Sequence, residues 1–126
     1  MKNFYIPAGI LLVILGFSLW SGRYVELRTD HWNALLEQAD REGGLENWNS
    51  AREQMDRIYE DWQGSQTFFH IIMDHEELDH AEELFAGVFA VCREEDGADF
   101  HQLLAQLMQQ LDLLAETQQT NIKNIL

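Results

Sequence analysis

The chain has 126 residues, 46% of them hydrophobic, with 22 acidic against 8 basic side chains and a formal net charge of −14. That length supports one modest core, and so apolar a chain with a single proline is not a disordered or proline-rich linker. The acid excess argues against phosphate-mediated binding of nucleic acid, which needs clustered Lys and Arg, and the lone Cys92 rules out an internal disulfide or a four-cysteine zinc site.

Phe4 to Trp20 carries no charge, with Lys2 before it and Arg23 after it. Seventeen residues make a helix of about 25 Å, slightly short of a hydrocarbon core of about 30 Å, a mismatch that thinning and interfacial side chains absorb. Phe4 and Tyr5 at one end, and Trp20 and Tyr24 at the other, have the placement of interfacial aromatic belts. Pro7 is expected in the first helical turn, where its missing N–H costs nothing. A secretory signal peptide has a similar apolar core. The pairs that would flank its cleavage site (Ser18 with Trp20, Leu19 with Ser21, Trp20 with Gly22) each contain a poor residue for it. Residues 1–23 are therefore expected to be an uncleaved transmembrane anchor, and 24–126 an acidic domain held by it. Lys2 against Arg23 and Arg28 leaves the positive-inside comparison nearly level. The short lead before the span favours export of the C-terminal domain.

From Tyr24 onward, 22 acidic residues face 6 basic ones, a net charge of −16. A domain so charged does not lie flat on anionic lipid, but it suits a basic partner or divalent cations, and it keeps a small bundle soluble. Four helical segments are predicted in it. The first runs from about Val25 to Arg41 on Trp32, Leu35, Leu36 and Ala39, ended by Gly43-Gly44. The second, about Leu45 to Trp62, has Trp48, Ala51, Met55, Ile58 and Trp62 on one face. Ser50-Ala-Arg-Glu53 has the form of a capping box inside it. Gln63-Gly64-Ser65 is a soft break that a continuous helix would also tolerate.

The third segment, Thr67 to about Arg93, carries Phe68, Phe69, Ile72, Leu78, Phe85, Val88 and Phe89. Asp96-Gly97 reads as a turn and Asp99 as the N-cap of the last helix, with Gln102 as its reciprocal partner. That helix has a heptad seam of Phe100, Leu104, Leu107, Leu111, Leu114, Gln118, Asn121 and Ile125. Gln118 and Asn121 weaken its final turns unless they pair with a neighbour or with another copy of the chain. Short connections imply antiparallel neighbours. The fold class expected is all-α: an N-terminal transmembrane helix followed by an antiparallel bundle of about four helices.

The densest polar stretch is His70 to Glu83. On one helix His70 would face Asp74, His75 would face Asp79, and Glu76 would face His80, each pair able to hydrogen-bond or share a metal. His75-Glu76-Glu77-Leu78-Asp79 begins like H-E-x-x-H, but the second histidine falls at 80, about 100° further round the helix. Glu77-Leu-Asp-His80 matches half of a di-iron Glu-x-x-His pair and has no second copy. His75, Glu76, Asp79 and His80 are the metal candidates, with His31 or His101 as a further ligand from a neighbouring helix. Ordinary pairing on a solvated helix face explains the same residues. Trp32, Trp48 and Trp62 lie on apolar faces at core spacing. Cys92 is expected to be a buried thiol among acidic neighbours, unsuited to nucleophilic use. No catalytic residues and no cofactor are predicted.

Trp32, His75-Glu76-Glu77-Leu78-Asp79 and the ending Asn121-Ile-Lys-Asn124-Ile-Leu126 together resemble a family of short, membrane-anchored helical proteins of Gram-positive, often spore-forming bacteria, a domain of unknown function. The resemblance spans the chain and implies the anchored helical architecture without implying an activity. His70 and His80 are not features that it implies. The function expected is a non-enzymatic, membrane-tethered interaction module of the cell envelope, its partner another envelope protein or a second copy. The alternative is a surface cation-binding or sensing protein using residues 70–83.

Overall fold

A computed structural model describes the backbone of residues 2–125 and the side chains of 3–120. Four helices follow one another with short turns between them: α1 Lys2–Gly44, α2 Trp48–Ile72, α3 His75–Arg93 and α4 Gly97–Ile125. There is no strand among the described residues. The four expected segments are present, and the N-terminal apolar run is continuous with the first of them. Asn121 and Ile125 of the expected seam, and the Asn121–Leu126 ending, have side chains outside the described residues.

Every adjacent pair of helices runs antiparallel. Trp32 of α1 meets Trp62 of α2, and nearer the N-terminus Tyr24 meets Phe68. Tyr59 of α2 lies on Phe85 and Phe89 of α3. Gln110 of α4 bonds to Glu77 near the start of α3, and Asn33 of α1 bonds to Asp112 of α4. This is an up-down-up-down bundle with α1 and α3 on one diagonal. The faces predicted from periodicity form the core. Trp32, Leu36, Met55, Ile58, Trp62, Phe69, Leu78, Phe85, Leu104, Leu107 and Leu111 are fully buried.

Three expected boundaries move. Gln63-Gly64-Ser65 does not interrupt α2, because Gly64 is solvent-exposed while Ser65 is buried and returns its hydroxyl to the Asp61 carbonyl at 3.4 Å. The break falls instead at Met73-Asp74, so Phe68, Phe69 and Ile72 belong to α2. Asp74 caps α3 by accepting from the Glu76 N–H at 3.3 Å. Helix α2 begins at Trp48, ahead of the Ser50–Glu53 box, and its N-cap Asn47 makes no side-chain capping bond. Asp96, not Asp99, takes the capping position before α4, its carboxylate accepting from the Asp99 N–H at 3.2 Å. Pro7 lies past the first turn of α1, where the helix forgoes one backbone bond to keep it.

The turns also assign the glycines differently. Both α1 and α3 end in Schellman motifs: the Asn47 and Glu46 N–H groups return to the Glu42 and Gly43 carbonyls, and those of Asp96 and Glu95 return to Val91 and Cys92. The left-handed residue is Glu46 (φ 62°) in one and Glu95 (φ 56°) in the other. Glutamate pays for that conformation where glycine would not, and its charge opposes the negative end of the helix dipole. Glu46→Gly is expected to stabilise the domain by about 0.5–1 kcal/mol, read as a higher urea midpoint with unchanged slope.

Gly43 is helical, and its role is close packing. A Cβ there would lie 2.7 Å from the ring of Phe100, which is itself buried. Gly43→Ala is expected to cost about 1–3 kcal/mol through overpacking. Gly44→Ala meets nothing within 4 Å and is expected to be neutral or mildly stabilising in the same urea titration.

Candidate functional site

The end of α1 in the apolar run stands clear of the bundle. Its most apolar 18-residue window is 6% buried, and the helix is long and apolar enough to cross a membrane. The expected belt residues lie on it. Phe4 and Tyr5 are exposed at its start, and Trp20 stacks on Tyr24 at 5.4 Å where the helix meets the bundle. Phe68 of α2 packs edge-on against Phe17, Trp20 and Tyr24 at 6.4, 5.5 and 4.9 Å. One aromatic cluster thus ties the last turns of the apolar helix to the base of the bundle.

The His70–Glu83 stretch is divided by the Met73-Asp74 turn. His70 closes α2 and His75 opens α3, so the expected His70–Asp74 pairing does not form. The two imidazoles instead meet through their Nδ1 atoms at 2.9 Å. One ring must donate and the other accept, so the contact requires at least one neutral histidine with its proton-free Nδ1 facing the other. Glu76, Asp79 and His80 lie exposed on the first turns of α3, and His80 approaches Glu83 at 3.9 Å. His101 is held at the other end of the bundle by Asp40 at 2.8 Å, and His31 lines a groove between α1 and α2. His75, Glu76, Asp79 and His80 are therefore not joined by either of the further histidines. Among the described residues no three His, Cys, Asp or Glu side chains converge in a way that would hold a metal ion.

Two carboxylates that look like surface charge in the sequence do structural work. Asp61 Oδ2 accepts from the Trp32 indole N–H at 2.8 Å and from Arg28 at 3.1 Å. Glu82 accepts from the Trp62 N–H at 2.7 Å and from the Tyr59 hydroxyl at 2.9 Å. Burying an indole leaves one N–H to satisfy, and a charged acceptor makes the stronger bond. The Glu82 bond raises the Tyr59 pKa above its usual value, because the phenol donates and its ionised form would face a carboxylate. The contribution of that bond is therefore present below about pH 10 and lost as the phenol ionises above it. The only sequence signal for these partners is an acid one position before a core tryptophan (Asp61-Trp62) or next to a core alanine (Ala81-Glu82), which is too common to single them out.

Two recesses lie on the bundle. The α1–α2 groove is open and lined by Arg28, His31, Leu35, Arg57, Glu60, Asp61 and Gly64. A smaller one lies beside the α2–α3 turn, between Met73, Asp74, Glu77, Leu114, Thr117 and Gln118. Gln118 is buried there, and Gln110, which the heptad seam leaves out, anchors α4 to the Glu77 carbonyl and carboxylate at 3.0 and 2.9 Å. Cys92 is buried, as expected, and desolvation pushes its thiol pKa up.

A family model described as a domain of unknown function, DUF4363, matches residues 19–125. No curated protein and no solved structure matches the chain.

Proposed function

We propose, from the premise that this chain belongs to the DUF4363 family, that it is a membrane-tethered, non-enzymatic helical interaction module of the cell envelope. The setting that the family resemblance implies is a Gram-positive, often spore-forming bacterium. The observation that carries the reading is the continuity of α1. One unbroken helix runs from the apolar stretch into the core, so the bundle is mounted on the segment suited to cross a bilayer. Removing that segment as a signal peptide would cut within this helix, beside the Trp20–Phe68 contact, which favours an anchor over a cleaved signal.

The polar side chains support the non-enzymatic part. Asp61 and Glu82 hold indoles, Asp40 holds His101, and Glu77 holds Gln110. Each of these carboxylates is engaged by a structural partner, Asp61 and Glu77 included, although both also edge a recess. The surface left for a partner is acidic, with Glu53, Asp56, Glu60, Asp79 and Glu83 exposed on α2 and α3. It suits a basic face of another envelope protein, and a second copy is the other occupant to test. Photo-crosslinkers at Asp56 and Asp79 in native membranes should capture one discrete partner or a dimer, and capture no higher than that of an unrelated anchored protein would count against the module. Protease added to intact cells should remove a C-terminal tag if the domain is exported, and should spare it until lysis if the domain faces the cytoplasm.

A further inference from the structure

The register between α1 and α2 places the base of the bundle lower than the charge pattern suggests. Trp32 lies opposite Trp62, Tyr24 opposite Phe68, and Phe17 also reaches Phe68. Continued for a few more antiparallel residues, this register sets Ile71 level with about Leu19 and the Met73-Asp74 turn level with about Phe17. The turn therefore overlaps the last turn of the apolar stretch. Only Phe4 to about Gly16 stands below it, a rise of about 20 Å against a hydrocarbon core of about 30 Å.

A helix this short cannot hold the bundle wholly in water unless the bilayer thins by about 10 Å. The base of the bundle is built for the other solution. Ile71, the last but one residue of α2, is 73% exposed, and half-buried Phe68, Ile72 and Met73 lie around it. Trp20 and Phe17 are exposed on α1 at the same level. The polar groups at this end (His70, Asp74, His75 and Glu76) sit at the turn itself, at headgroup height. Spread over the bundle, the −16 charge disfavours a flat approach to anionic lipid, but it leaves open an end-on approach through the apolar side chains of Phe17, Trp20, Phe68 and Ile71, with the Asp74 and Glu76 carboxylates at the level of the headgroups.

We infer that the Phe68–Met73 end of α2, with Phe17 and Trp20 beside it, is a lipid-binding seat: the bundle stands end-on with its base in the headgroup layer of the bilayer that its own α1 spans. The occupant is phospholipid, continuous with the lipid around the anchor, and not a peptide or a second protein. This rests on the anchor reading above.

The test uses the full chain in dioleoylphosphatidylcholine vesicles, with or without acyl-brominated phosphatidylcholine. A fluorescent thiol label is placed singly at Val13→Cys, Ile71→Cys or Leu45→Cys, all exposed positions. Cys92 stays in place because it is buried with a raised pKa, and the unsubstituted chain measures any labelling there. A seat within about 5–10 Å of the acyl boundary predicts that bromolipid removes about half or more of the Ile71 emission and that aqueous iodide quenches it weakly. Val13 should be quenched strongly by bromolipid, and Leu45, at the far end of the bundle, only by iodide. Val13 quenched with Ile71 open to iodide would overturn the seat and leave the anchor standing. Val13 open to iodide would overturn the anchor. Ile71 shielded from both quenchers would mean a protein covers it, and Leu45 quenched by bromolipid would mean that the bundle lies flat. Either result overturns the seat.

Discussion

Trp62→Ala is expected to be the most damaging single substitution in the bundle, costing about 3–5 kcal/mol. Trp62 is 0% exposed and its ring lies against Trp32, Phe69 and Phe85 at 5.5, 5.7 and 5.4 Å. Truncation opens a cavity at the junction of three helices and deletes the edge-on contacts with Trp32 and Phe69 and the tilted one with Phe85. It also removes the donor that Glu82 accepts at 2.7 Å, leaving that half-buried carboxylate with Tyr59 alone. For a domain of this size such a loss lowers the melting temperature by more than about 10 °C. Thermal unfolding by circular dichroism of the full chain in detergent checks this. Trp62→Phe separates the terms, since it keeps most of the packing and loses the N–H, for which about 1–3 kcal/mol is expected. Equal losses for the two variants would mean that the Glu82 bond, and not the cavity, dominates.

The second large effect is expected in the apolar stretch. Leu12→Arg combined with Val13→Asp places two charges near the middle of the segment, where each costs about 2.5–3.5 kcal/mol on insertion scales. Leu12 and Val13 are 68% and 72% exposed, so neither contributes to the bundle core. The double variant should retain the thermal unfolding of the parent bundle while losing membrane association by orders of magnitude. Flotation on a density gradient with liposomes reads this directly. Retained flotation would show that something other than α1 holds the chain to lipid.

Much of the fold can be read along the chain because the helices are amphipathic and the turns short. The seam from Phe100 to Leu114 and the stripe from Trp48 to Trp62 are buried as their spacing implies. The break between α2 and α3 falls at Met73-Asp74 and not at Gly64 for a physical reason. An exposed glycine such as Gly64 costs a helix only about 1 kcal/mol, which a packed face beneath it recovers, so glycine alone is a weak stop. The true break has no glycine or proline, and its signature is Asp74 followed by Glu76 and Glu77, a capping acid ahead of an acidic first turn. On one unbroken helix His70 would face Asp74, and the contact between His70 and His75 follows only because the chain turns there.

Glu46 and Glu95 hold the left-handed positions that favour glycine, while Gly43 packs against Phe100 and Gly97 begins α4. The partners of the two buried indoles depend on which helix lies alongside, so no local pattern announces Asp61 or Glu82. The same holds for the overlap between the α2–α3 turn and the apolar stretch. It follows from the register of α2 against α1, which the helix periods alone do not set.

The tethered module depends most heavily on α1 remaining in one piece, spanning a bilayer and carrying the bundle on its end. The direct measurement is alkaline carbonate extraction of membranes from cells expressing the chain with a C-terminal tag, followed by mass spectrometry of the tagged product. If α1 is the anchor, the tagged protein stays in the pellet and retains peptides from the Phe4–Trp20 segment. A tagged product in the supernatant that has lost this segment would contradict it: α1 would then be a cleaved leader, and the bundle a released domain.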